Sequence, residues 1–341
     1  MEMDERKQKV LQAIILDYIA TADPVGSRTI ARKYNIGVSP ATVRNEMADL
    51  EEMGFIEQPH TSAGRIPSQL GYRYYVDRLM KKEPLNEELK AYVRGALIKK
   101  IRETEDLIQY ASRILSQLTN YMAMVLTPFY GKNILRHIKL LPYEVGKAVM
   151  IIVLDNGHVD HRIMEVPEEL KEDDFNTISA LLNENLRGLT LEQWRPSMLK
   201  DVCRQLNVHS SLLQELIEQI ETSLDEEYDQ KVYLGGATNI LNQPEFRQID
   251  KVKPLLELLE KEDVLKDALV PTNHSGVTVR IGKENKIEGM QDCSLITATY
   301  QVENRVIGTL GVLGPTRMEY SKVISVIEYL TGVLAETLKK V

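Results

Sequence analysis

Between positions 38 and 67 the chain reads VSPATVRNEMADLEEMGFIEQPHTSAGRIP, and its side chains are suited to hydrogen bonding with nucleic acid. Thr42, Arg44 and Asn45 stand within four positions of one another. At 100° per residue they lie on or beside the helical face that carries Ala41 and Ala48. Small residues let a helix come close to base edges, and Thr, Arg and Asn then donate and accept in the groove. Ser39 is placed to donate to a phosphate at the helix start. Further on, His60, Thr61 and Ser62 form a small polar loop and Arg65 supplies a cation that reaches a phosphate or the minor groove. Asp49, Glu51 and Glu52 crowd the far half of the helix, so its N-terminal end is the part expected to enter a groove.

The elements that must hold these residues follow from local signals. Ser39 is an N-cap and Pro40 fits the first helical position, where no N–H is required. Val43, Met47 and Leu50 form the stripe that faces a core. Gly54 ends the helix, 55–58 is a short strand closed by Pro59, and 66–67 leads back. Upstream, an apolar stripe over 4–20 marks a helix. Ser27 caps a second helix over 28–34, and Asn35-Ile36-Gly37 is the turn before the third. Helix, turn, helix, strand, loop and return strand describe a winged helix-turn-helix. A helix over 68–79 carries Tyr72, Tyr74 and Tyr75, read as a joint to the next domain, and 81–84 reads as a linker.

Beyond it, a helix with Leu107, Ile108, Ala111, Ile114, Leu115 and Leu118 at helical spacing precedes strand character over 134–166. There AVMIIVL (148–154) and 159–166 make a hairpin around Asp155-Asn156-Gly157-His158. Helical patterns occupy 175–186, 191–205 and 210–228. A short strand at 231–234 ends in the turn Gly235-Gly236, and short helices follow at 254–260 and 263–268. Strands return at 276–281, 294–302 and 305–313, and a helix over 318–339 closes the chain. Strands on both sides of a mainly helical stretch predict an α+β domain interrupted by an insertion.

Composition narrows the function classes. Of 341 residues, 43% are hydrophobic and 27% charged, as in a soluble globular protein. No apolar run approaches the ~20 residues that span a bilayer, and the N-terminus lacks the apolar core of a signal peptide. The net charge of −8 argues against indiscriminate nucleic-acid binding; residues 1–82 carry +1 and the remainder −9. Cys203 and Cys293 have no CxxC spacing and no histidine cluster, so both are expected as buried small apolar residues in a reducing cytoplasm. His158 and His161 do not make a metal site, and no GxSxG, HExxH or phosphate loop occurs. No enzyme, no cofactor and no metal is expected.

Three stretches carry a resemblance: DPVGSRTIARKYNIGVSPATVRNEMADLEEMGFIEQPHTSAGRIPSQLGYRYYVDRL at 23–79, LGGATNILNQPEF at 234–246 and GTLGVLGPTRMEYSKVISVIEYL at 308–330. With them the chain resembles, over essentially its whole length, the HrcA family of heat-inducible transcription repressors. The resemblance implies an N-terminal winged-helix DNA-binding domain, 1–82. It implies a GAF-like α+β domain in two parts, 83–170 and 273–341, around an inserted, mainly helical dimerisation domain, 171–272. It further implies a cytoplasmic homodimer bound to double-stranded DNA at an inverted-repeat operator, the CIRCE element of chaperone heat-shock operons. It implies, too, that the GroEL chaperonin keeps such a repressor competent and that heat stress diverts the chaperonin. The competing expectation is a regulator that senses a small effector in the GAF-like domain, for which Arg280, Cys293 and Arg317 are scattered polar candidates.

Overall fold

The computed structural model describes residues 3–60, 63–98, 104–127, 133–155, 159–190, 193, 230–270, 276–302 and 305–339. The expected helix over 191–205 apart from residue 193, the expected helix over 210–228, residues 156–158 with His158, and Cys203, Thr61 and Ser62 lie outside these residues. The chain forms two compact units, Met1–Thr127 with Lys231–Val341, and Pro128–Gln230.

The first unit opens with three helices, α1 (Glu5–Thr21), α2 (Ser27–Lys33) and α3 (Pro40–Glu52), and a ribbon of two short antiparallel strands, β1 (Ile56–Glu57) and β2 (Ile66–Pro67). Val10, Leu11, Ile14 and Ile15 of α1, Ile30 of α2, and Val43, Met47 and Leu50 of α3 are buried together. Helix α4 (Gln69–Tyr74) follows, capped by Ser68, and its last turn widens to a π-helical one at Tyr75–Leu79, closed by Met80 N–H donating to Tyr75 O at 2.8 Å.

The same unit contains a five-stranded antiparallel sheet ordered β7-β3-β10-β9-β8: Val232–Gly235, Met122–Leu126, Arg305–Pro315, Cys293–Val302 and Val277–Ile281. Period-two alternation assigns its faces. Ala123, Val125, Ile296, Leu310 and Val312 pack on α6 (Thr104–Thr119) and α10 (Tyr320–Leu338), beside which lies α5 (Glu87–Ile98). Met122, Met124, Leu295 and Leu313 pack on α8 (Ile249–Leu259) and α9 (Glu262–Leu269). Helix α8 begins five residues before the expected start at Pro254 and carries that proline inside.

The second unit pairs β4 (Leu135–Glu144), β5 (Lys147–Leu154) and β6 (Val159–Glu165) in a separate antiparallel sheet, with α7 (Glu172–Leu186) over one face. The expected boundaries therefore move. Strands β4–β6 belong to the insertion rather than to the larger sheet, and β7 with α8 and α9 belongs to the larger sheet's unit rather than to the insertion. The insertion grows from a hairpin connection: β3 and β7 are paired neighbours, and Thr127 N–H donates to Lys231 O at 3.0 Å just beyond them. The side-chain amide of Asn183 accepts from Ile138 N at 2.9 Å and donates to Ile138 O at 2.6 Å, and Ser179 Oγ accepts from Leu140 N. These bonds occupy the outer edge of β4, where another strand would otherwise pair.

Residues 81–84 are not a free linker. Ser321 Oγ donates to Lys81 O and accepts from Glu83 N, and Lys82 Nζ lies 2.6 Å from Glu328, so the segment is strapped along α10. The tyrosine joint is present upstream of it. Tyr72 and Tyr75 are buried, the ring of Tyr72 lies tilted against that of Tyr320 with centroids 5.9 Å apart, and Tyr74 meets Phe55 edge-on at 5.3 Å.

Candidate nucleic-acid interface

Helix α3 starts where its sequence dictates. Ser39 is extended, its Oγ accepts from Thr42 N at 3.1 Å, and it lies 3.0 Å from Thr42 Oγ1. The two hydroxyls have one hydrogen between them, which leaves one O–H free to donate outward. At the other end Phe55 N donates to Leu50 O and Gly54 N to Glu51 O, a Schellman pair closed by the left-handed backbone of Gly54. With Val43, Met47 and Leu50 inward, Ala41, Arg44, Asn45 and Ala48 are exposed and Thr42 is half-buried. The helix thus brings Ser39, Thr42, Arg44 and Asn45 onto one accessible surface.

The acidic half of α3 is largely neutralised from within. Glu46 and Asp49 pair with Lys7 at 2.9 and 3.0 Å, and Arg6 adds a contact to Glu46 at 3.5 Å. Hydrogen bonds that Lys7 donates to Glu46 first, then to Asp49 and Asp4, raise the pKa of its ammonium. Glu51 pairs with Arg65, whose Nε and Nη2 lie 2.9 and 2.8 Å from its Oε2. The repulsion expected from this end of the helix is correspondingly reduced.

Arg65 does not extend from a loop tip as its position in the sequence suggests. Its backbone exchanges two hydrogen bonds with Val25, at 2.8 and 2.9 Å, which adds the α1–α2 connection to the edge of the ribbon. Its guanidinium turns back onto α3, because the bridge fixes the backbone beside Glu51. The bridge also explains Gly64: a Cβ there would lie 2.5 Å from Val25 O. His60 is exposed, and its carbonyl accepts from Ala63 N across the loop.

Two cations absent from the expected set share this surface's chemistry. Arg28 and Arg32 on α2, like Arg44, are exposed and have no ion pair among the described residues; neighbouring Lys33 instead lies 2.6 Å from buried Asp17. A sequence signal for them exists. Arg28 and Arg32 stand at i, i+4 on one face, with no acid three or four residues from either.

The three polar candidates for an effector site do not converge. Arg280 donates to Ala268 O at the end of α9, and burial lowers its pKa. Cys293 is buried, which pushes its thiol up to about 12, and Arg317 is paired with Glu245. Among the described residues no group of His, Cys, Asp and Glu is placed to hold a metal ion, and no helix is long and apolar enough to cross a membrane.

Comparison with known proteins places this geometry in a family. Residues 105–324 match the model of the HrcA protein C terminal domain. A heat-inducible transcription repressor HrcA from Pelotomaculum thermopropionicum is 52% identical over 342 aligned residues, covering 100% of this chain and 98% of that protein. The proteins of the same name from Desulforamulus reducens and Moorella thermoacetica are 49% and 48% identical, each across 100% of this chain and 99% of its own length. A crystal structure of a hypothetical protein at 2.2 Å resolution shares the fold, with a TM-score of 0.65 at 24% identity over 99% of each chain. The chain belongs to the HrcA family.

Proposed function

We propose that this HrcA-family chain is a cytoplasmic transcription repressor without catalytic activity, which binds double-stranded DNA as a homodimer at an inverted-repeat CIRCE operator of chaperone genes. The observation that carries the reading is the α3 surface. Arg44 and Asn45 are exposed with no ion pair among the described residues, while Glu46, Asp49 and Glu51 behind them are paired within the protein. In this reading the three helices and the ribbon are a winged helix. Thr42, Arg44 and Asn45 meet base edges, and Ser39, Arg28 and Arg32 hold phosphates. His60, Thr61 and Ser62 are further candidates for backbone phosphates, and Arg65 steadies the wing and reaches DNA while sharing its guanidinium with Glu51.

The five-stranded sheet with helices on both faces is the GAF-like domain of this reading, and the insertion is the dimerising element. Its support is the face of the three-stranded sheet away from α7. There Leu141, Tyr143, Val159 and Ile163 are exposed on the outer strands, with His137 and His161 among them, and Val149, Ile151 and Val153 are half-buried on the central one. Clustered exposed apolar side chains of this kind mark an association site. A two-fold dimer then presents two copies of α3 to the two halves of an inverted repeat.

Control rests with the GroEL chaperonin, which keeps the repressor competent until heat stress diverts it to unfolded clients. The test is an operator-binding assay at several temperatures, with and without chaperonin. Binding to the inverted repeat but not to a scrambled duplex, lost on heating and restored by chaperonin, is the expected result. Equal binding to both duplexes overturns the DNA-reading assignment. Heat loss that chaperonin does not restore overturns the control.

A further inference from the structure

The stretches 234–246 and 308–330 contain none of the DNA-facing residues, yet they meet each other and the N-terminal helices at one place. Arg317, in the connection between β10 and α10, donates to Glu245 through Nε at 2.6 Å and Nη2 at 3.4 Å. Its Nη1 donates to Ile19 O at 2.7 Å. Ile19 belongs to the last turn of α1, where carbonyls lack helical partners, and α1 has no basic residue of its own in that turn. The cation that closes α1 therefore comes from the sheet domain. Only 12% of the Arg317 side chain is exposed, and a forked guanidinium bonded on both sides fixes direction as well as distance.

A second arginine points the other way. Arg73 of α4 donates to Glu284 Oε1 at 2.9 Å and to Val279 O at 2.6 Å, both on the sheet domain. Glu284 is itself held by Ile281 N–H at 2.8 Å. Gln69, one turn before Arg73, accepts from Lys283 N at 3.0 Å; it fills the space that a Cβ on Gly282 would need. Between the two arginines lies the buried Tyr72–Tyr320 contact. Apolar packing of that kind holds the domains together but tolerates sliding, whereas the two forked contacts flanking it do not.

We propose that Arg317 and Arg73 are positioning residues which fix the angle of the three-helix unit on the sheet domain, and with it the separation of the two α3 helices in the DNA-bound dimer. The proposal rests on the dimeric DNA-binding reading above. It assigns the 234–246 and 308–330 stretches a role in operator-spacing selectivity that no contact with DNA supplies. A rigid pair of heads favours one half-site spacing; a loosened pair has a lower effective concentration at the second half-site and accepts several spacings.

The test compares wild type, Arg317→Gln, the Arg73→Gln/Arg317→Gln double variant and the milder Glu245→Gln. Each is titrated against the native inverted repeat, repeats whose spacer is about five base pairs longer or shorter, and an isolated half-site. Circular dichroism and sedimentation confirm folding and dimerisation in every variant. For the double variant the expected result is about a tenfold loss on the native repeat, half-site affinity within about twofold of wild type, and a flattened spacer preference. Single variants shift in the same direction by less. Equal losses on half-site and full operator, or an unchanged spacer preference, overturn the proposal. Failure of wild type itself to distinguish the native repeat from a scrambled duplex instead overturns the DNA-binding reading on which it rests.

Discussion

Replacing Arg44 by alanine separates base reading from charge attraction. Arg44 is exposed and has no ion pair among the described residues, so losing its guanidinium should change folding stability by no more than ~0.5 kcal/mol. A bidentate guanidinium contact to a base edge discriminates by ~1–3 kcal/mol, roughly 5- to 150-fold, and a dimer uses it once in each half-site. The preference for operator over scrambled duplex should therefore fall by about 2–6 kcal/mol if the half-sites act independently. Arg32→Ala is the control, because a phosphate contact carries no sequence information. Its loss from both protomers should flatten the salt slope by about 1.8, which is ~12-fold less loss of affinity between about 50 and 200 mM salt, equally on both duplexes. Fluorescence anisotropy with the two labelled duplexes across a salt series measures both quantities. The assignment of α3 is refuted if Arg44→Ala weakens both duplexes alike and flattens the slope as Arg32→Ala does.

Three further outcomes follow from the geometry. Arg65→Ala should weaken operator binding both by losing its own contact and by uncovering Glu51, so adding Glu51→Gln should restore part of the loss; full restoration in anisotropy titrations means that Arg65 makes no DNA contact of its own. Replacing 128–230 by Asn-Gly should give a folded monomer, since Thr127 and Lys231 are already joined across the β3–β7 hairpin; a dimer in sedimentation places the interface elsewhere. Burial alone would raise the pKa of Glu284, but hydrogen bonds from Arg73 and Ile281 N–H outweigh it and hold the carboxyl below its usual range. Its contribution is present above the ordinary carboxylate pKa and is lost as pH falls through the depressed value. Melting curves from about pH 3 to 7 should show a shallower acid limb for Glu284→Gln than for wild type, and parallel limbs exclude a role for the pair.

What was legible in the sequence is what local chemistry determines. Ser39-Pro40 and Gly54 bound α3 because caps act through neighbouring backbone groups, and the buried stripe of Val43, Met47 and Leu50 follows from helical period alone. The β5–β6 hairpin was equally plain, from an apolar run, a turn and an alternating return. The insertion's limits were not, because strands β4–β6 carry the same local signal whichever sheet they join. The decisive strand, MAMVL at Met122–Leu126, is a five-residue run buried on both faces, without the alternation that identifies a half-exposed strand. Arg65 and the 81–84 segment were misplaced for a related reason. A lone arginine in a small-residue loop and a Lys-Lys-Glu-Pro stretch look solvent-borne until Glu51, Ser321 and Glu328 are brought beside them by tertiary structure. Arg28 and Arg32 were legible as an i, i+4 pair with no acid three or four residues away, and the structure adds that both are exposed.

In the proposed complex two copies of the α3 surface read the two halves of an inverted repeat. Stoichiometry and footprint on one duplex test it together: sedimentation of the wild-type complex combined with hydroxyl-radical protection of the operator. Two chains per duplex, with two symmetric protected windows centred one helical turn or a multiple apart, is the predicted result. One chain per duplex, or protection that does not follow the repeat, contradicts it.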